Sequence, residues 1–87
     1  MTVYVDDMRA RYGRMIMCHM AADAESELHA MADLIGVNRK WYQGGHYDVC
    51  LAKRGMAVDA GAEQVTQRRM ARMVVAKRRA SLRPASR

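Results

Sequence analysis

Eight residues from Trp41 to Asp48 (Trp-Tyr-Gln-Gly-Gly-His-Tyr-Asp) hold the chain's single Trp, two of its four Tyr and one of its three His around a Gly-Gly pair. Stacking, hydrogen-bonding and titratable side chains beside backbone that a partner can approach closely are the makings of a ligand site. His46 and Asp48 are two residues apart, so on a strand they project to one side with Tyr47 opposite. An imidazole and a carboxylate side by side suit acid and base work or cation binding. Trp41 offers a face to a base or a sugar, and Gln43 a group that reads a polar edge. Lys53 and Arg54 are placed to neutralise a phosphate at the start of the next helix. The purely structural alternative makes Trp41 a core anchor and Gly44-Gly45 an ordinary hairpin turn.

Further acids and histidines fall at predicted strand ends. Asp6 and Asp7 follow the first strand, Asp23 follows the second, and His46 with Asp48 lies on the third. Ligands of α/β sheets settle outside the carboxyl ends of the strands. If these strands run parallel, four carboxylates and a histidine share one edge. The catalytic candidates are then His46, Asp48, His19 and Asp7, and Asp6 with Asp7 are the candidate oxygen ligands of a divalent metal. Structurally, Asp23 is also a helix cap and Asp6-Asp7 a solvated turn. His19 lies within the most apolar stretch, where a lone histidine is commonly a core residue donating to a carbonyl, although imidazole also suits proton transfer. Cys18 and His19 are adjacent and point to opposite faces of a strand, and no recognised zinc spacing is present, so zinc is disfavoured. His29 lies one turn after Glu25 and is expected to make an i,i+4 surface pair.

The net charge of +6 is unevenly spread. Residues 67 to 87 carry Arg68, Arg69, Arg72, Lys77, Arg78, Arg79, Arg83 and Arg87 with no acid, whereas residues 1 to 66 hold seven basic and nine acidic residues. On a helix, Arg68, Arg72 and Arg79 form a stripe opposite Met70. Such a stripe is the footprint of phosphate contact in DNA or RNA binding, or alternatively a solubilising surface or a contact for an acidic protein.

These groups require elements to position them. Thr2 to Val5 reads as a short strand and Met8 to Gly13 as a polar loop. Met15 to Ala22, apolar on both alternating sides, reads as a strand buried on both faces. A helix then runs from an Asp23 cap, with Leu28, Met31, Ala32 and Ile35 at i, i+3, i+4 and i+7, to Gly36. The segment around His46 is a third strand, and Leu51 to Ala60 a short helix with Leu51, Gly55 and Val58 facing inward. Glu63 to Val65 is a brief strand, and Thr66 caps a last helix buried through Met70, Met73 and Val74. The order β-β-α-β-α-β-α predicts an α/β fold: a small mixed or parallel sheet of three to four strands with helices packed on it. Its parts are a core over 1–66, a basic helix over 67–81 packed on that core, and a basic tail over 82–87.

Eighty-seven residues make one domain, near the size where stability needs a metal, a partner or a second copy, so a homodimer is among the expected states. No apolar run reaches the roughly 20 residues that cross a bilayer. The start lacks the basic and then apolar layout of a signal peptide, so a cytoplasmic location and free thiols at Cys18 and Cys50 are expected.

With these residues in view, the chain resembles a family of short bacterial and bacteriophage proteins grouped as a domain of unknown function, number 4031. The likeness covers most of residues 2 to 62. It rests on Val3-Tyr-Val-Asp-Asp, Cys18-His19-Met20 leading to Asp23, Glu27-Leu28-His29, Trp41-Tyr-Gln, His46-Tyr47-Asp48, Lys53-Arg54 and Gly61-Ala62. The resemblance implies a compact α/β domain and supplies no activity. The leading functional expectation is a small cytosolic or phage-encoded domain that binds a phosphate-bearing ligand, a nucleotide or nucleic acid. Trp41, Gln43, His46 and Asp48 form its pocket, with Lys53 and Arg54 on phosphate and Arg68, Arg72 and Arg79 adding backbone affinity. The second is a divalent-metal-dependent hydrolase or nuclease built on the Asp/His cluster. The third is a protein-interaction module, such as a phage inhibitor of a host enzyme, that uses the basic helix and exposed methionines.

Overall fold

Met15–Ala22 is apolar on both alternating sides, which calls for cover above and below. In the computed structural model, which describes residues 2–82, it forms β3, the centre of a six-stranded mixed sheet. That cover is complete over Met20–Ala22, whereas Met15 is exposed and Ile16, Met17 and His19 are half-buried, so the expected burial on both faces holds only for the second half of the strand. Before it come β1 (Val3–Val5) and β2 (Ala10–Tyr12). After it come α1 (Glu25–Ile35), a 3-10 turn (Arg39–Trp41), β4 (Tyr42–Gln43), β5 (His46–Cys50), α2 (Leu51–Asp59), β6 (Glu63–Gln64) and α3 (Gln67–Leu82). The lateral order is β4-β5-β3-β1-β6, with β2 paired to the first half of β3. β1, β2 and β5 run antiparallel to β3, β4 runs antiparallel to β5, and β1 pairs with β6 in parallel. The fold is α/β with the predicted order of elements, to which β2 and β4 are added.

Alternation along the strands sorts the core into two layers. On one face Val5, Met20, Ala22, Tyr47 and Val49 pack against Leu28, Met31, Ala32 and Ile35 of α1, with Ala57 and Ala62 completing the layer. The four α1 positions are those the helical period selects. Full burial of Met20 or Leu28 stabilises by about 1.5–3 kcal/mol each. On the other face Ala21, Val65 and Met70, with Tyr4 and Val74 at the margin, hold α3 to one end of the sheet. The rest of that face is open to the clefts described below.

Local chemistry sets the boundaries. α1 stops where Gly36 adopts the left-handed conformation (φ 79°) and Val37 N–H donates to Ala32 C=O at 2.8 Å, satisfying a carbonyl of the last turn. Gly44 and Gly45, both at positive φ (50° and 104°), form the two-residue turn that lays Gln43 opposite His46.

Three local expectations are corrected. The predicted loop over Met8 to Gly13 contains β2, whose residues are all exposed; an edge strand without a buried side shows no alternation to read. Asp23 does not cap α1, because Ala24 holds the cap position and the Asp23 carboxylate accepts from Thr2 N–H (3.1 Å) and Tyr4 O–H (3.0 Å). In α2 Leu51 and Gly55 are exposed, and Ala57 is the residue buried against the sheet. The cap of α3 is as predicted, with Arg69 N–H donating to Thr66 Oγ1 at 3.2 Å. Of the basic tail expected over 82–87, residues 83–87 lie outside the described residues. No described helix is long and apolar enough to cross a membrane.

Candidate functional site

Antiparallel pairing on both sides of β3 builds the site. Its register places His19 opposite Asp48 of β5, while Asp6, just past β1, donates its backbone N–H to the His19 carbonyl at 3.0 Å. His46 is two residues before Asp48 and shares its side of the sheet. Asp6, His19, His46 and Asp48 therefore stand together on the face that α3 only partly covers.

Asp6 is the single fully buried acid among the described residues. One carboxylate oxygen accepts the backbone N–H of His19 (2.7 Å) and of Met8 (3.2 Å), and the other lies 2.7 Å from His19 Nδ1. A carboxylate accepting there makes Nδ1 the donor nitrogen and leaves Nε2 of His19 on the side of Asp48. Asp48 Oδ1 lies 3.8 Å from His19 Nε2 and 3.5 Å from His46 Nε2. The two imidazoles meet edge to face with centroids 5.0 Å apart.

One donor atom from each of His19, His46 and Asp48 lies within 4.8 Å of the others. Donors about 2.1 Å from a common cation and at cis angles are about 3.0–3.4 Å apart. The two carboxylate–imidazole spacings, 3.5 and 3.8 Å, exceed that range by a few tenths of an ångström, and all three donors lie within 4.8 Å, so a cation there would draw them together. The groups that could hold a cation here are two imidazoles and a carboxylate; of the pair expected from sequence, Asp6 bonds His19 and Asp7 bonds Gln67 N–H. Cys18 lies buried on the opposite side of β3, as adjacency to His19 requires.

Parallel convergence of the acids does not occur. Because β1 and β3 are antiparallel, Asp23 pairs off at the far end of β1 beside Thr2 and Tyr4. Asp7 turns away from the histidines and accepts Gln67 N–H at 2.9 Å, at the start of α3. Trp41 is about half exposed, under the Lys40 ammonium, and is not a core anchor. Lys53 and Arg54 diverge. Lys53 approaches Gly36 at the end of α1, whereas Arg54 Nε donates to the Asp6 carbonyl (2.7 Å) and Nη2 to Gln64 Oε1 (3.2 Å). Arg68, Arg72 and Arg79 are exposed along α3. His29 makes the expected approach to Glu25 (3.4 Å), but its Nδ1 also lies 2.6 Å from the hydroxyl of buried Tyr47, beneath the opposite face of the sheet. Burial raises the pKa of Tyr47 and of its neighbour Tyr42 above the ordinary tyrosine value.

Two clefts flank the loop from Asp6 to Arg9. One, of about 420 Å³ at the carboxyl ends of β1 and β6, is lined by Asp7, Arg9, Arg54, Gln64, Thr66 and Arg69. Arg9 is there in the left-handed region (φ 52°), a strained backbone for a residue with a side chain. The other, of about 510 Å³, is lined by Tyr12, Met15, Met17, Trp41, Gln43, Asp48 and Lys53 among others. Tyr12 and Arg9 are not legible as site residues in the sequence, because both fall in Met8 to Gly13, a stretch without a buried side. The signal for Tyr12 was an aromatic residue directly before Gly13.

The family model described as "Protein of unknown function (DUF4031)" matches residues 3–77. The chain belongs to the DUF4031 family. The match takes in every strand of this DUF4031 domain and α3 as far as residue 77, so it extends beyond residues 2 to 62, on which the resemblance rests, into the basic helix. No curated protein and no solved structure matches the chain.

Proposed function

We propose that this chain is a divalent-cation-dependent phosphoester hydrolase in which His19, His46 and Asp48 hold the cation and Asp6 orients His19. The observation that carries this reading is the buried Asp6 carboxylate on His19 Nδ1. A carboxylate behind a histidine fixes its tautomer and raises its basicity as a ligand, an investment that a solvated surface histidine does not need. Three protein donors leave further coordination positions for water and substrate. A cation held there by His19, His46 and Asp48 would lower the pKa of bound water and polarise a phosphoryl oxygen. Imidazole donors favour Fe2+, Co2+ or Zn2+ over Mg2+ and Ca2+, and the carboxylate also admits Mn2+; zinc, disfavoured by the sequence spacings, fits this donor set without cysteine.

The phosphate-bearing substrate class is supported by the cations near the Asp6 loop: Lys53 in the larger cleft and Arg9 in the smaller one, where Arg54 and Arg69 already bond the Asp6 carbonyl and Glu63. Exposed Arg68, Arg72 and Arg79 add attraction for a polyanion, which favours nucleic acid as the substrate.

Calorimetric titration of the chelator-treated protein with Mn2+, followed by assay of bis(p-nitrophenyl) phosphate hydrolysis, tests the reading. Stoichiometric binding and turnover that both vanish in His46→Ala and Asp48→Ala variants with intact far-UV circular dichroism are expected. Wild-type protein that takes up neither Mn2+ nor Zn2+ would overturn it.

A further inference from the structure

The 510 Å³ cleft lies on the half of the sheet face that α3 leaves uncovered. Its floor is Met15 and Met17 of β3, and Met17 is two residues, about 7 Å, from His19 on the same side of the strand. Asp48 lines this cleft and also belongs to the histidine cluster, so the two are neighbours that share one carboxylate.

Its walls carry two large aromatic side chains that the fold does not bury: Tyr12 is 71% exposed and Trp41 54%. Tyr12 comes from the β2–β3 hairpin and Trp41 from the 3-10 turn before β4. A small domain gains nothing in stability from two exposed aromatic residues lining one concave surface, whereas a planar ligand gains stacking area at little entropic cost. Asn38, Gln43 and Lys53 also line the cleft; the Asn38 Oδ1 accepts Lys40 N–H at 2.9 Å, which leaves its NH2 group as the donor it can offer. Apolar floor, aromatic walls, amide edges and a cation match a planar heteroaromatic ring that carries an anion.

Resting on the hydrolase reading above, we propose that this cleft recognises a nucleobase, stacked on Trp41 and Tyr12 and read at its edge by Gln43 and Asn38. Lys53 neutralises the attached phosphate on its way to Asp48. The substrate class is thereby a nucleotide, free or within a strand, and not a phosphorylated sugar or protein.

Trp41 is the chain's single tryptophan, so its emission reports on the cleft. The probes are adenosine 5′-monophosphate, uridine 5′-monophosphate and ribose 5-phosphate, titrated in EDTA so that no cation contributes. Saturable quenching by at least one of the two nucleotides is expected, with ribose 5-phosphate at least ten-fold weaker. Tyr12→Ala should weaken the nucleotide about ten-fold, as loss of one stacking partner does, and leave Mn2+ affinity unchanged. Failure of both nucleotides to saturate, or equal binding of ribose 5-phosphate, overturns the proposal. So does a concentration-dependent dimer that Tyr12→Ala dissolves, which would assign the cleft to a second copy. Loss of Mn2+ binding with nucleotide binding retained would sink the hydrolase reading alone, so the two failures are separable.

Discussion

Asp6 grips His19 twice, by its ring and by its backbone: one carboxylate oxygen is 2.7 Å from Nδ1 and the other 2.7 Å from the backbone nitrogen. Asp6→Asn keeps the shape but supplies an acceptor on one side only. Cation affinity is expected to fall about 10- to 100-fold, the usual effect of losing such a partner. Stability should fall by about 1–3 kcal/mol from the impaired buried bonds. Calorimetry gives the affinity, and imidazole nitrogen chemical shifts report whether His19 keeps its Nδ1–H tautomer. Unchanged shifts and affinity would reduce Asp6 to a structural residue.

Asp7 and Thr66 share the N-terminus of α3, the first bonding Gln67 N–H and the second Arg69 N–H. Each replacement by Ala is expected to cost about 0.5–2 kcal/mol in urea unfolding, as for other caps, while Mn2+ binding is retained. Loss of Mn2+ binding in Asp7→Ala would return Asp7 to the cation site.

Burial lifts the Tyr47 hydroxyl pKa, and Tyr42 behaves likewise. A raised pKa in the folded chain means that the proton is held more tightly there than in the unfolded chain. The associated stability is complete below about pH 10 and is lost as pH rises through the folded value. Thermal unfolding between pH 9 and 12, with tyrosinate absorbance at 295 nm, should show the decline beginning near pH 10. Tyr47→Phe should make it shallower, at a cost near neutral pH of about 1 kcal/mol from the lost bond to His29. An equally steep decline in Tyr47→Phe would mean that Tyr47 is not its source.

The exposed α3 arginines should appear in salt dependence. Affinity for a duplex oligonucleotide, measured by fluorescence anisotropy between 50 and 200 mM salt, should fall linearly on logarithmic axes. Replacing Arg68, Arg72 and Arg79 together by Ala should reduce the slope by about 2.7, at 0.9 per phosphate contact. An unchanged slope would remove the stripe from any nucleic-acid contact.

Elements carried by local pattern were readable from the sequence. The α1 stripe, the Gly36 stop, the Gly44-Gly45 turn and the same-side placement of His46 and Asp48 all follow from periods and turn chemistry. What decides the site is not local. Asp6 meets His19 across 13 positions of sequence, and only the antiparallel sense of β1 against β3 brings them together. A parallel arrangement satisfies the same hydrophobic pattern and would have sent Asp23 there instead. Arg54 was readable as a cation, but not as one committed to the Asp6 carbonyl. β2 stayed hidden because none of its side chains is buried.

Two consecutive acids fasten three parts of the molecule. Through Asp6 the sheet is tied to itself and to α2, and through Asp7 the same loop anchors α3. Replacing either acid therefore loosens the framework, and replacing Asp6 the histidine alignment with it, so stability and ligand affinity are expected to move together in Asp6 variants and apart in Asp7 variants.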